Sequence, residues 1–96
     1  MAHVVASMFT PASDVLAAAV ATMRKDAGLT QRQLADALGR EQNLVARIET
    51  SQRRIDLVEW VTICRACGTD PEVEIARLVR AIVGLVPQKR RRGKTG

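Results

Sequence analysis

Within residues 29–50, LTQRQLADALGREQNLVARIET, the side chains suited to specific recognition are two amides, Gln42 and Asn43, and a guanidinium, Arg47. An amide pairs with N6 and N7 of adenine, and a guanidinium forks onto O6 and N7 of guanine, so the trio suits the reading of base edges. The same residues would also make an ordinary solvated helix face. Glu41 could accept from a cytosine amino group or simply suit the positive end of a helix. Leu44 and Ala46 are open between contact with a thymine methyl and plain packing. Candidates for phosphate contact are Gln31 at a helix start and Arg53 and Arg54 in a polar loop, with Arg32 and Arg40 as helpers.

Other chemistries find little support. The chain has a single histidine, His3, no Ser/His/Asp arrangement, no phosphate-cradling glycine loop and no paired carboxylates in an evident cleft, so neither an enzyme nor a cofactor is expected. Cys64 and Cys67 have the spacing of a redox pair or a zinc knuckle. Zinc wants four ligands and a redox pair wants a helix start, whereas these cysteines fall late in a helix. They are expected to be reduced, apolar core residues without a metal.

The elements that position these residues are helical. Nearly half the chain is apolar with almost no aromatics, which suits helix-on-helix packing, and segments such as DVLAAAVATMRK favour helix. The expectation is an all-α domain. A first helix starts at Thr10 and Pro11, or at Ser13, buries Leu16, Ala19, Val20, Met23 and Ala27, and stops at Gly28. Thr30 and Gln33 form a capping box for a second helix that buries Leu34, Ala35 and Leu38 and ends at Gly39. A third covers roughly residues 41–50. Asp56 and Glu59 repeat the box for a fourth, with Leu57, Trp60, Val61 and Cys64 inward and Gly68 at its end. Asp70 and Pro71 start a fifth, running to about Val86.

Two short helices broken at Gly39 make a helix-turn-helix, a unit that lays one helix across the DNA backbone and puts the other in the major groove. It needs a small residue at the crossing, here Ala35, and inward Leu34, Leu38, Val45 and Ile48. AGLTQRQLADALGREQNLVARIE, continued by RRIDLVEWVTICRACGTDP, resembles the lambda-repressor/Cro-like, or Xre-type, helix-turn-helix family over about fifty residues, from Arg24 to Pro71. The resemblance implies a five-helix domain that binds operator DNA as a symmetric dimer to regulate transcription, and a pairing of Arg24 with Glu49. It also implies that both cysteines lie at apolar core positions. Two positions depart from the pattern: Arg40 stands where an apolar residue is common, and Ser51 where a glycine often closes the third helix.

Charge and apolar content suggest further partners. Of fifteen basic residues, Lys89, Arg90, Arg91, Arg92 and Lys94 lie beyond position 88, and the other ten balance ten acids. Residues 87–96 thus read as a disordered basic tail, either a solvated end or a polyanion binder, and residues 1–9 as a flexible lead-in. Residues 10–86 form the domain. No membrane span or secretory signal is apparent, so a cytoplasmic protein is expected. In the fifth helix Ile75, Leu78, Val79 and Ile82 suffice for the core, and Val83, Leu85 and Val86 are in excess. Leu78, Ile82, Val83, Leu85 and Val86 are therefore candidates for a homodimer interface. The rival is an antitoxin-like or regulator-sequestering module whose fifth helix binds another protein.

Overall fold

The structure, a computed structural model, describes residues 11–88. The described residues form α1 (Pro11–Asp26), α2 (Gln31–Leu38), α3 (Gln42–Glu49), α4 (Leu57–Cys67) and α5 (Pro71–Ile82), followed by a short 3-10 turn at Val83–Leu85. The lead-in, Thr10 and the basic cluster from Lys89 onward lie outside the described residues.

Both expected capping boxes form. Thr30 Oγ1 accepts from the Gln33 amide at 3.0 Å while Gln33 Oε1 accepts from the Thr30 amide at 2.8 Å. Asp56 and Glu59 do the same at 2.7 and 2.9 Å. Each box satisfies two of the amides that a helix start leaves without partners, and losing the cap costs about 1 kcal/mol.

Four helices close with one motif, a paired return of the next two amides onto the last turn. After α2 the amides of Gly39 and Arg40 donate to the carbonyls of Asp36 and Ala35 at 3.1 and 2.9 Å. The motif needs a left-handed residue, which glycine supplies without a Cβ penalty, and Gly28, Gly39 and Gly68 take φ between 68° and 75°. After α3 the same role falls to Ser51, at φ 63°. The amides of Ser51 and Gln52 return to Ile48 and Arg47 at 3.2 and 2.8 Å, so the missing glycine does not blunt the end of this helix. Ser51 is also held from outside its helix: its hydroxyl donates to Asp14 Oδ1 on α1 at 2.8 Å.

The core joins all five helices through Val20 and Met23 of α1, Leu34 and Ala35 of α2, Leu44, Val45 and Ile48 of α3, Trp60, Ile63 and Cys64 of α4, and Leu78 of α5. Ala35 sits buried where α2 packs on its neighbours, as the small residue of the turn requires. Leu44 packs inward, which removes it from the candidates for base contact. Three expectations are corrected. In α4 it is Ile63 that points inward with Trp60 and Cys64, while Leu57 and Val61 are exposed. Ala27 and Val79 are exposed too, and Ala17 is buried. The fifth helix ends at Ile82, not near Val86: Gly84 is a poor helix residue, and Pro87 drives Val86 to extended backbone (φ −107°, ψ 119°).

Candidate nucleic-acid interface

A short helix between two sharp turns presents one face and buries the other, and α3 does so cleanly. Leu44, Val45 and Ile48 point into the core, whereas Gln42, Asn43 and Arg47 are exposed. Among the described residues the Gln42, Asn43 and Arg47 side chains make no hydrogen bond or ion pair, so their donors and acceptors are available. They share the outer face of one helix. Glu41 is the N-cap of α3 but makes no side-chain capping bond.

The buried side of α3 is anchored at its last residue. Arg24 Nε and Nη2 donate to Glu49 Oε2 and Oε1 at 2.6 and 3.0 Å, a two-pronged pair with side chains only 11% and 7% exposed. Arg24 Nη1 donates in addition to the Leu29 carbonyl at 2.8 Å, in the link from α1 to α2. The hydrogen bonds from Arg24 to Glu49, opposed in part by desolvation, keep the guanidinium above its ordinary value and therefore charged. Removing one member of such a buried pair strands the other, at about 3–5 kcal/mol.

Gln31 is part of this anchor, its Nε2 donating to Glu49 Oε1 at 3.0 Å. One amide hydrogen is engaged and the other is left for an outside acceptor. Gln31 therefore ties the first turn of α2 to the last turn of α3.

The loop after α3 converges with the turn before it on one carboxylate. Arg53 Nη1 and Nη2 donate to Glu59 Oε1 and Oε2 at 3.1 and 2.9 Å, and Nη1 also reaches the Arg54 carbonyl at 2.7 Å. Arg40 Nη1 lies 3.7 Å from the same Glu59 Oε2. The hydrogen bond from Arg53, then the Asp56 amide and the two positive charges, outweigh partial burial and hold the Glu59 carboxyl below the usual carboxylate range. The Arg54 and Arg32 side chains are exposed and have no partner among the described residues. Gln31 and Arg53 thus enter any phosphate contact already hydrogen-bonded to a carboxylate, Arg40 enters with a carboxylate 3.7 Å away, and Arg54 enters free of a described partner. The Arg24 to Glu49 pairing follows from the family pattern, whereas Glu59 as a meeting point has no signal in the sequence beyond its capping position.

Away from α3 the surface changes character. Leu16, Ile48, Ile55, Leu57, Trp60 and Ile82 line an apolar groove of about 540 Å³ among the starts of α1 and α4 and the end of α5. Val86 at its edge and Val79 and Leu85 nearby are each about half exposed, and Val83 more so. Leu78, by contrast, is buried within the protomer at the floor of the groove, and Ile82 is half-buried against the core. Little of Leu78 is left for a partner to touch.

Cys64 is buried, with its thiol 3.9 Å from Met23 Sδ, and Cys67 packs against the core. Burial pushes both thiols up from their ordinary values, toward the neutral form. Among the described residues no cluster of His, Cys, Asp and Glu is arranged to hold a metal, and no helix is long and apolar enough to cross a membrane.

Known proteins share this fold. A family model described as a helix-turn-helix domain matches residues 15–78. An XRE-family like protein from Pseudomonas syringae pv. tomato is 36% identical over 73% of this chain and 85% of its own, with a TM-score of 0.67. The restriction-modification controller protein C.AhdI from Aeromonas hydrophila is 25% identical over 66% and 94% of the two chains, with a TM-score of 0.58. The controller protein C.Esp1396I, solved as a tetramer in complex with its natural 35 base-pair operator, shares the fold at 17% identity, with a TM-score of 0.68 over 78% and 99% of the chains. A comparison with curated proteins returns no match.

Proposed function

The chain belongs to the Xre-type helix-turn-helix family of DNA-binding regulators, and from that premise we propose that it is a repressor that binds a palindromic operator as a homodimer with α3 in the major groove. The observation that carries this reading is the contrast within α3: Gln42, Asn43 and Arg47 stand exposed without partners among the described residues, while Leu44, Val45 and Ile48 are buried and the last residue, Glu49, is bolted to α1 and α2. Base reading needs both, because a side chain specifies a base only when its backbone is held in register. Gln31, Arg40, Arg53 and Arg54 then meet phosphates and set that register.

The dimer is assigned to the end of α5. Val83, Leu85 and Val86 are exposed just after α5 and outside the core, and a two-fold contact is the usual way to cover apolar surface. C.Esp1396I, solved on its operator as a tetramer, supports assembly on DNA for this fold. The second reading, a module that binds another protein, draws on the same ridge; a monomer that co-purifies with a different chain would favour it. A regulator of this kind works in the cytoplasm, and the basic stretch 89–96 either adds phosphate contacts or serves only as a solvated end.

Selection of bound DNA from a random pool tests the proposal. The expected product is a palindrome with half-sites about 34 Å apart, so that inserting half a helical turn between them abolishes tight binding. Arg47→Ala should lose about 1–3 kcal/mol on that site and much less on random DNA. Equal losses on both would show that α3 does not read bases. Deleting residues 89–96 should weaken all sequences alike and flatten the salt dependence by about 0.9 in slope per phosphate released.

A further inference from the structure

Arg40 precedes α3 and Arg53 follows it, yet both guanidiniums face one carboxylate, that of Glu59 in the first turn of α4. The cations from the two ends of the reading helix are thus gathered at a single point. Arg53 is gripped by both Nη atoms, at 2.9 and 3.1 Å, and Arg40 sits at 3.7 Å with most of its donors free. Glu59 Oε1 accepts from the Asp56 amide at 2.9 Å as well, so the carboxylate is fixed to the backbone of α4 and cannot follow the arginines if they leave.

We propose that Glu59 is a specificity-determining residue of the DNA interface: it restrains Arg40 and Arg53, withholding them from phosphates unless α3 is seated on a matching site. The inference rests on the DNA-binding reading above. Affinity for random DNA comes almost wholly from cations displacing condensed counterions, so a carboxylate that grips one of them and attracts a second lowers it directly. On a matching site the protein sits in one register, and a phosphate at a set position shares the remaining donors of each guanidinium. A flexible cation would serve any sequence equally. A tethered one serves the sequence that α3 selects, and discrimination is the difference between the two affinities.

Glu59→Gln tests this with little change of shape, because the amide oxygen still accepts from the Asp56 amide. Binding of wild type and variant is measured over a range of salt on the selected operator and on random duplex of the same length. The variant should bind random DNA roughly three- to tenfold more tightly, with a salt slope steeper by up to about 0.9 per released arginine. The operator should gain less, so the ratio of the two affinities falls. An unchanged ratio, or weaker binding to random DNA, overturns the proposal and leaves Glu59 a helix cap. Should Glu59→Gln fail to fold by circular dichroism, Arg53→Lys takes its place: it keeps the charge but loses the two-pronged grip, and the ratio should again fall, with an unchanged ratio overturning the proposal. If wild type itself does not prefer its selected site, the DNA-binding reading fails, and this inference with it.

Discussion

The two helices that carry the outward-facing chemistry, α3 and α5, are finished in opposite ways. α3 is closed by a paired amide return at Ser51, tied to α1 through Asp14 and Arg24, and tied to α2 through Gln31. What it leaves exposed is polar. α5 ends without a glycine cap, loosens into a 3-10 turn at Val83–Leu85, and exposes an apolar ridge. Under the proposed function, the difference follows from the partner each would face. Base edges form a rigid lattice in which a small misplacement loses a hydrogen bond, so the helix that meets them has to be fixed beforehand. An apolar contact between protein surfaces is less directional and tolerates local repacking, so its helix end needs less internal fixing.

The largest test of this contrast is the anchor of α3. Arg24→Met should lower the free energy of unfolding in urea by about 3–5 kcal/mol, because it leaves the Glu49 carboxylate buried without its cation. Pairing it with Glu49→Leu should recover most of that loss. A single substitution that costs under about 1 kcal/mol would mean the pair behaves like an exposed one and that α3 is not locked by it.

Next comes the end of α3. A non-glycine residue in the left-handed region is strained by about 1–2 kcal/mol, and the Ser51 to Asp14 bond offsets about 1 kcal/mol of that. Thermal unfolding should therefore rank Ser51→Gly at or above wild type, and Ser51→Ala below it by about 1 kcal/mol. If alanine matches serine, the hydroxyl bond contributes nothing.

A smaller effect should appear in acid. Folding lowers the pKa of Glu59, so the unfolded chain takes up the proton more readily, and the stability supplied by the ionised group is present above the ordinary carboxylate range. It is lost as pH falls through the depressed value. The melting temperature of wild type should exceed that of Glu59→Gln at neutral pH, and the gap should close on acidification; a gap that stays constant would remove Arg53 and Arg40 as its cause.

The smallest change in stability is expected at α5. Val83→Glu combined with Val86→Glu should leave the protomer within about 0.5 kcal/mol of wild type, since both residues lie outside the core. Sedimentation should nevertheless show the dimer gone. An unchanged dimer would place the two-fold contact elsewhere, and an unfolded protein would make the ridge part of the core.

Much of the framework can be read locally. The boxes at Thr30 and Asp56 and the stops at Gly28, Gly39 and Gly68 depend on neighbours within a turn, and all of them form. The pairing of Arg24 with Glu49 joins residues 25 apart and was accessible only through the family pattern. The inward face of α4 is not legible in the sequence because LVEWVTICRAC is apolar nearly all round, so that the period leaves Val61 and Ile63 equally plausible as core. Packing against α2 and α3 decides it, where Ile63 meets Leu38, Leu44 and Ile48. Ser51 and Glu59 were hidden for a related reason: one takes its partner from α1, the other from a loop and a turn, and nothing in their own segments names those partners.

Trp60 is the only tryptophan, and the chain has no tyrosine. Its ring is 3% exposed between the groove by α5 and the packing of α1. The ultraviolet emission of the whole protein therefore originates essentially from one indole, shielded from water. Unfolding should redden and dim that emission. Occupation of the groove should perturb it directly, and DNA held at the outer face of α3 should reach it only through the core, so one optical signal separates events at the two helices without any label.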